Sequence, residues 1–414
     1  MTEIRQNYLL SLRAICAAIA LFVGSTSASI SLVSISPNGC AMAQTHQHGS
    51  QPSGDGKFNP SVAPDGRGGF YLGYVQRANG ASDVMIRHST DGKAFSDPVR
   101  VSDRAGDATV RNENPPKIAV APNGNVYVCW ANERARWKGN IRFARSTDGG
   151  KSFSSSITIN SDADGEPCGR AFQSVAVDRT GRIYLAWIDE RNKKAEDRGA
   201  EIWMSQSTDD GKTFSGDHKI ISDVCECCRT NIQIDSAGRL FLAYRTVPAK
   251  GPMYRDIIVA RSSDRGHSFT PVKVSEDGWE INACPVTGPG LSVDSRGQIA
   301  VVWFTGGDRQ GLYYAASADH GASYSARRLL ESSQNMGKHA QAVALSDGRV
   351  FVAWDEKVEK VKVVGGLLDL QKGSLQKSLM RDEASYPALA FNGKTVLIAG
   401  MQSAPPDIWL QAAP

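Results

Sequence analysis

The chain has 414 residues, of which 41% are hydrophobic and 22% are charged, a composition typical of globular proteins. Its formal net charge of +4 is too small to indicate a nucleic-acid partner. The length allows one large domain or two ordinary ones, and no segment beyond the N-terminal region predicts a membrane span.

Residues 1–43 predict a secretory signal peptide. Two arginines precede an apolar run over 14–23, and Ala41-Met42-Ala43 fits the small-residue cleavage pattern. The run is short for a membrane span, and a retained N-terminal anchor is the alternative. Cleavage would place the protein in the periplasm or outside the cell, without a membrane segment. Residues 44–57 are polar and lack apolar periodicity, which predicts a flexible lead-in.

From residue 58 onward, a pattern of strand, glycine turn and more apolar strand occurs seven times. The turn glycines are Gly68, Gly124, Gly181, Gly238, Gly297, Gly348 and Gly393. An aromatic residue lies six positions after the glycine in every copy except the last. Each copy therefore predicts a pair of adjacent strands, A and B.

A second motif, typified by Ser146-Thr147-Asp148-Gly149-Gly150-Lys151-Ser152-Phe153, follows five of these pairs. Its aspartates are Asp91, Asp148, Asp209, Asp264 and Asp319, which are 57, 61, 55 and 55 residues apart. Ser and Asp side chains hold tight turns by bonding nearby backbone N–H groups, and the aromatic residue folds back as an apolar plug. A period of this size indicates a repeat architecture with one four-stranded unit per repeat.

Each repeat thus predicts strand A, a glycine turn, strand B, a loop, strand C, the Asp-containing turn and strand D. Radial repetition of such units is an all-β fold, the β-propeller. Seven A–B pairs favour seven blades, with six as the alternative. Residues 357–379 lack the Asp motif and predict a degenerate C–D pair. The last repeat has a third strand near 407–411 but no fourth, which the N-terminal region could supply to close the ring.

The repeated Ser-x-Asp-x-Gly motif resembles the Asp-box, or BNR repeat, of the sialidase (neuraminidase) superfamily. The resemblance implies a sialidase-like β-propeller over residues 58–414, with the Asp-boxes between strands C and D. In that superfamily the box is structural and lies away from the active site. It therefore implies the fold and leaves the activity open.

The strand order places the A–B turns and the Asp-boxes on one face of the propeller. The longer B–C loops and D–A connections lie on the other face, where function is expected. An arginine fork matches a carboxylate, so this face predicts an anionic ligand. The predicted ligand-binding residues are Arg245, Arg255, Asp189, Arg191, Asn114 and Gln173. The alternative is a solvated rim of ion pairs.

Five of the six cysteines that follow the signal are expected to converge near the central channel. Three of them each lie 13 residues before the turn glycine of their repeat, and the other two belong to one of the same turns. These five are Cys168, Cys225, Cys227, Cys228 and Cys284. In an exported protein they predict either disulfides between blades, in pairings that the sequence cannot resolve, or a site for copper or another soft metal. His339 is a candidate additional ligand.

The resemblance also implies catalytic residues. Catalytic sialidases bind the sialic acid carboxylate with three arginines and use an acid/base Asp and a Tyr nucleophile that is assisted by a Glu. Arg111, Arg170 and Arg229 enter strand A of successive repeats and are the candidate triad. Tyr254 or Tyr386 is the candidate nucleophile. The superfamily's Arg-Ile-Pro motif is replaced here by residues 58–61, Phe-Asn-Pro-Ser, which weighs against glycosidase activity.

Three functions remain open. The first is a non-catalytic module that binds a glycan, a small anionic molecule or a protein partner at the central funnel and requires no cofactor. The second is an exo-glycosidase that hydrolyses terminal sialic acid. The third is a cysteine-dependent copper-binding or redox protein. Fold alone does not decide between them.

Overall fold

The structure is a computed structural model that describes residues 54–111, 113–135, 138–332, 337–357 and 359–413. The predicted signal peptide and most of the predicted lead-in lie outside these ranges. The described residues form 27 β-strands. Within them, no helix is long and apolar enough to cross a membrane.

The strands form seven antiparallel sheets, each built from consecutive strands of the chain. The first blade contains β1 (Gly56–Pro64), β2 (Phe70–Ala78), β3 (Ala81–Ser89) and β4 (Val99–Arg100). The second blade contains β5 (Lys117–Val120), β6 (Val126–Ala131), β7 (Ile141–Ser146) and β8 (Ile157–Thr158). The third blade contains β9 (Arg170–Val177), β10 (Ile183–Asp189), β11 (Ala200–Ser207) and β12 (His218–Val224). The fourth and fifth blades contain β13 (Asn231–Ile234), β14 (Leu240–Arg245), β15 (Ile257–Ser262) and β16 (Thr270–Ser275); and β17 (Gly290–Val293), β18 (Ile299–Thr305), β19 (Gly311–Ser317) and β20 (Arg328–Ser332). The last two contain β21 (Lys338–Ala344), β22 (Val350–Lys357), β23 (Val361–Asp369) and β24 (Ser374–Asp382); and β25 (Ala384–Phe391), β26 (Val396–Ser403) and β27 (Pro406–Ala413).

The first strand of each blade lies innermost and contacts its counterparts in the two neighbouring blades, and β1 contacts β25 to complete the ring. The propeller therefore has the seven blades that the sequence favours, and the six-bladed alternative is wrong. Strands β23 and β24 are the degenerate C–D pair predicted for the sixth blade.

The seventh blade has three strands among the described residues. The N-terminal strand β1 does not join it as a fourth strand, because β1 pairs with β2 in its own blade and only packs against the seventh. Strand β1 also begins inside the predicted lead-in. Gly56 pairs with Arg77, and the Lys57 ammonium lies 2.9 Å from the Asp407 carboxylate. The order of this segment therefore comes from contacts with residues distant in sequence.

The aromatic residue at the end of strand B fills the space between blades. Trp130, Trp187, Trp303 and Trp354 are among the largest fully buried side chains. Their indole N–H groups still find acceptors, as buried Trp requires. Trp187 donates to Asp189 at 2.8 Å, and Trp303 donates to Asp277 at 2.7 Å. Apolar packing thus forms the core, and its indole N–H groups are satisfied by carboxylates and, at Trp130, by the Asp107 carbonyl.

The Asp-boxes form the turns between strands C and D that the sequence predicts. In the second blade, the Ser146 hydroxyl accepts from the Gly150 N–H at 2.8 Å and donates to Asp148 at 2.7 Å. The Asp148 carboxylate accepts from the N–H groups of Lys151 and Ser152, each at 3.0 Å. The corresponding serine–glycine bonds recur at 2.8–2.9 Å in the other four boxes.

The Asp-boxes and A–B strand pairs meet on one face. The Tyr127 hydroxyl, just after an A–B turn, donates to Asp210 in the next blade's box at 3.2 Å. The Tyr71 hydroxyl donates in the same way to the Gly149 carbonyl at 3.1 Å. The loops and inter-blade connections are consequently grouped at the opposite face.

Candidate functional site

The inner strands are irregular near the loop face. Register shifts interrupt β1, β9, β21 and β25. Non-glycine residues with left-handed φ lie at these shifts: Asn59 at 52°, Phe172 at 55°, His339 at 55° and Tyr386 at 51°. Each such residue costs about 1–3 kcal/mol, and bulges of this kind re-aim side chains beside functional sites. Asn59, His339 and Tyr386 line the central cavity.

This cavity lies on the propeller axis and has a volume of about 170 Å³. Every inner strand or the segment just before it contributes to its wall. The polar and charged wall residues include Asn59, Glu113, Lys117, Arg229, His339 and Gln341. The seven blades thus bring together side chains that are up to several hundred residues apart in sequence.

Arg229 and Glu113 form the centre of the cavity wall. Arg229 is 3% exposed, and its Nη2 donates to the carbonyls of Gly288, at 3.1 Å, and Ala340. Its Nε lies 3.6 Å from Glu113 Oε1, which is an ion pair but too long for a hydrogen bond. Within the described residues, Arg229 Nε and Nη1 and Glu113 Oε1 have no hydrogen-bond partner. Such orphaned buried groups are costly and call for an explanation.

Glu113 also connects opposite sides of the ring. Its Oε2 accepts from the Gly288 N–H at 2.9 Å, which joins the second blade to the fifth. Arg229, in the connection leading into the fourth blade, bonds the same Gly288 through its carbonyl. The pair therefore spans the channel instead of lining one side of it.

A second polar group in the cavity contains His339, Asp355 and Tyr386. His339 Nδ1 lies 2.7 Å from Asp355 Oδ2, which also accepts from the Tyr386 N–H at 2.7 Å. The His339 and Tyr386 rings pack with centroids 4.2 Å apart. Burial opposes protonation of His339, but the carboxylates of Asp355 and Glu113 raise its pKa above the ordinary value. Burial, and then the same two carboxylates, raise the pKa of Tyr386.

Lys117, on the cavity wall, is a cation with a lowered pKa. Burial, and then the charge of Arg229, lower the pKa of Lys117 to about 8. The charged form of Lys117 is therefore less favourable than that of an exposed lysine, although a pKa of about 8 leaves it mostly charged at pH 7. An anion in the cavity would oppose both effects and stabilise the charged form.

The structure gives the arginines of the predicted triad different surroundings. Arg170 is buried and donates to Asp189 at 3.0 Å, to the Gly139 carbonyl at 3.0 Å and to Asp162. Its guanidinium is occupied on all sides, so the predicted triad lacks this member. Arg111 lies over the Phe172 ring at 5.6 Å, and Arg229 lines the axial cavity.

The two candidate tyrosines also lie in different surroundings. Tyr254 is 39% exposed and forms a backbone bridge with Glu280 in the loops of the fourth blade. Tyr386 lines the cavity beside His339. Only Tyr386 is therefore placed to touch a molecule bound on the axis.

The residues predicted to bind a ligand are mostly engaged within the protein. Arg245 is fully buried and donates to the carbonyls of Thr287, Arg255 and Phe304 at 2.7–3.2 Å. Arg255 donates to the carbonyls of Ile281 and Ala283 at 3.2 and 3.0 Å. These two arginines hold loops in place by binding their carbonyls. They do not form the solvated rim of ion pairs that was the alternative prediction.

Asp189 and Arg191 belong to the same buried network as Arg170. Asp189 is fully buried and accepts from Arg191 at 2.6 Å as well as from Arg170. Arg191 also donates to Asp217 at 2.6 Å and lies over the Trp203 ring at 3.9 Å. This network stabilises the loop of the third blade.

Asn114 and Gln173 join the second and third blades. Asn114 Oδ1 accepts from the Phe172 N–H, and Gln173 Nε2 donates to the Pro115 carbonyl, each at 2.8 Å. Asn114 Nδ2 and Gln173 Oε1 are buried without a partner in the described part of the chain. These two residues remain candidates for ligand contact near the channel.

Four of the five cysteines lie in one group on the loop face. The Cys225 sulfur is 3.0 Å from that of Cys228 and 3.5 Å from that of Cys227. Cys284 packs against the same cluster. Burial raises the pKa of each of the three thiols of residues 225, 227 and 228. Cys168 is buried just before β9, where its carbonyl accepts from the Gly139 N–H at 3.0 Å.

His339 was predicted as an additional ligand for this cysteine group. The structure instead places His339 in the axial cavity, bonded to Asp355. Among the described residues, the group that could hold a metal consists of cysteines alone, Cys225, Cys227 and Cys228.

Sequence reasoning missed Glu113, Lys117 and Asp355 as members of the site. One signal was present for Glu113: it lies 11 residues before its turn glycine, as Val286 does, and both have left-handed φ. The repeated arginine and cysteine positions lie two residues earlier in each repeat.

The fold and the axial cavity together define a seven-bladed, Asp-box β-propeller of the sialidase-like class. The model of the BNR repeat-like domain family matches residues 70–398, and the chain belongs to that family. No curated protein matches the sequence.

Similar solved structures share the fold at low sequence identity. A protein of unknown function from Dyadobacter fermentans has a TM-score of 0.54 at 16% identity, over 72% of this chain and 93% of that chain. The Hadza microbial sialidase Hz136 has a TM-score of 0.51 at 15% identity, over 80% of this chain and 73% of that chain. The NanB sialidase from Streptococcus pneumoniae has a TM-score of 0.50 at 11% identity, over 85% of this chain and 91% of that chain. Identities this low show a shared fold and nothing about activity.

Proposed function

We propose that this protein is an exported, non-catalytic sialidase-like propeller that binds a small anionic ligand in its axial cavity. One observation carries the proposal: Arg229 is 3% exposed and has two guanidinium nitrogens, Nε and Nη1, without hydrogen-bond partners at the cavity wall. An anionic group bound in the cavity would accept from Nη1, which carries two N–H donors, whereas Nε faces Glu113 Oε1 at 3.6 Å.

The chemistry of the wall narrows the ligand class. Lys117 supplies a second cation, whereas Glu113 Oε1 and Asn59 Oδ1 are orphaned acceptors. A ligand that satisfies both sets carries an anionic group together with hydroxyl or amide donors. A cavity of about 170 Å³ is below the ~300–1,000 Å³ typical of drug-sized sites, which favours one sugar acid or a smaller hydroxy acid.

Two features weigh against glycoside hydrolysis. A tyrosine nucleophile must reach its phenolate form, yet the pKa of Tyr386 is raised by burial and by the carboxylates of Asp355 and Glu113. Arg170 is committed to the Asp189 network. We therefore propose binding without turnover, and residues 1–43 as the export signal.

The test is calorimetric titration with three probes: N-acetylneuraminate, glucuronate and inorganic phosphate. Two structural neighbours are sialidases by name, which motivates the first probe. We expect saturable binding of at least one sugar acid, and no hydrolysis of a fluorogenic sialoside. Hydrolysis that is lost in a Tyr386→Phe variant would overturn the non-catalytic proposal.

The variant that tests this role of Arg229 is Arg229→Lys, which keeps the positive charge but removes the fixed N–H donors of the guanidinium group. We expect it to weaken binding about tenfold or more, since one charge-assisted hydrogen bond contributes ~1.5–3 kcal/mol. Arg349→Gln, on the turn face and paired with Asp347 at 2.7 Å, is the control and is expected to leave binding unchanged. Equal affinity in the Arg229 variant and the wild type would contradict the proposal.

A further inference from the structure

We propose that Cys225, Cys227 and Cys228 form a binding site for one monovalent soft metal ion of the Cu(I) class. The site lies on the loop face and uses none of the cavity residues that the proposed function requires. The metal site can therefore be tested separately from anion binding.

The positions of the three sulfurs fit trigonal coordination. All three lie within 4.8 Å of one another, with separations of 3.0 and 3.5 Å from Cys225 to Cys228 and Cys227. A trigonal site with metal–sulfur bonds of about 2.3 Å separates its sulfurs by about 4 Å. Small side-chain rotations would therefore admit an ion, and residues 225–228 would keep their backbone positions.

The surroundings of the sulfurs select for a soft ion. The cluster packs against Val247, Met253, Val286 and Cys284. Met253 and Cys284 add a thioether and a fourth thiol at the periphery, and the valines make the site apolar. Thiolate and thioether donors favour Cu(I), whereas Mg²⁺ and Ca²⁺ require oxygen ligands.

Cations close to the sulfurs offset part of the charge of an anionic metal–thiolate group. One monovalent ion with three thiolates has a net charge of −2. The positive charge of Arg111 acts on Cys227 and Cys284, and that of Arg245 acts on Cys228. Glu226 acts on Cys225 in the opposite sense, and Glu190 and Glu133 act on Arg111 more strongly than the thiols do. The two cations therefore offset part of the charge of the buried site.

The competing occupant of this space is a disulfide. Cys225 and Cys228 have the spacing of a Cys-x-x-Cys pair, and oxidation of both thiols would remove two of the three ligands. A metal site requires that these thiols be free, or be released by mild reduction, while the fold is retained.

The test is anaerobic titration of the reduced mature protein with Cu(I) in competition with bicinchoninate, a chromophoric Cu(I) chelator. We expect uptake of one Cu(I) per chain and a first coordination shell of sulfur alone by X-ray absorption. Loss of an outer-sphere partner costs ~10–100-fold in metal affinity, so loss of a direct ligand in Cys227→Ala should cost at least about 100-fold. Cys129→Ala, also a buried cysteine but within the blade core, is the matched control and is expected to bind Cu(I) normally.

Several results would overturn the inference. They are absence of Cu(I) uptake after reduction, a first shell that contains nitrogen or oxygen, and equal loss of binding in Cys129→Ala. Preferential retention of Zn(II) over excess Cu(I) would contradict the choice of ion. The absorption spectrum of the wild type decides the ligand set even if a cysteine variant fails to fold.

Discussion

The two faces of this propeller use the same kinds of residue in opposite ways. On the turn face, serine and aspartate recur in five Asp-boxes, lie near solvent, and find partners within a few residues. On the loop face and along the axis, arginines and carboxylates follow no shared motif and are buried, and some of them bond to groups 50 or more residues away. The repeated features specify the architecture, and the unrepeated ones mark the site.

The largest effect that we expect comes from breaking the buried network of the third blade. Asp189→Ala removes the common acceptor of Arg170, Arg191 and the Trp187 indole. Leaving buried charges unpaired costs ~3–5 kcal/mol, so the free energy of unfolding should fall by about that amount. Urea unfolding measures the loss. A change no larger than that of Arg349→Gln would show that the network is dispensable.

A substitution in the axial cavity should instead raise the free energy of unfolding. Removing the partly exposed ammonium in Lys117→Met should stabilise the protein at pH 7 by at most about 3 kcal/mol, since its pKa is lowered from 10.5 to about 8. Between these two pH values the unfolded chain binds the proton and the folded chain does not, so wild-type stability rises with pH. The advantage of the variant should consequently shrink from pH 8 to pH 10.5.

Urea unfolding of both proteins at several pH values checks this sign. A constant difference across the interval would mean that the ammonium is not what destabilises the wild type. The same variant should bind the anionic probe more weakly, because it lacks the second cation. Stability gained together with affinity lost would identify Lys117 as a residue kept for binding.

The smallest effect belongs to the repeated turns. Ser146→Ala removes the hydroxyl that bonds Gly150 and Asp148, and should lower the free energy of unfolding by about 1 kcal/mol. Hydrogen bonds from Ser152 and Ser146 lower the pKa of Asp148 to about 2. A carboxyl group with a lowered pKa contributes stability above its ordinary value of 3.8 and loses it as the pH falls. The difference between variant and wild type should therefore diminish from pH 4 to pH 2, and a pH-independent difference would contradict this account.

The sequence predicted those parts of the molecule that recur. The sequence was sufficient to predict seven A–B pairs, five Asp-boxes and the degenerate C–D pair of the sixth blade, because each depends on neighbours within about ten residues. The same periodicity brought Cys225 and Cys284 into one cluster. The roles of Arg245 and Arg255 could not be predicted, because their acceptors are loop carbonyls. The residue types of the loops do not reveal where these carbonyls lie. The β-bulges that aim Asn59 and His339 at the axis likewise follow from ring closure and not from local propensity.

The junction between the seventh and first blades has a consequence for how the chain can be cut and rejoined. No strand is shared across this junction in the described residues, and side-chain packing of Phe58 with Met401, together with the Lys57–Asp407 ion pair, holds the two blades together. Each of the other six junctions has similar packing plus a covalent connection. A circular permutant that links residue 413, on the turn face, to residue 56, on the loop face, needs a linker of about ten residues to run back along the blade, at ~3.3 Å per extended residue. If the chain is opened between two other blades, this permutant should form the same ring.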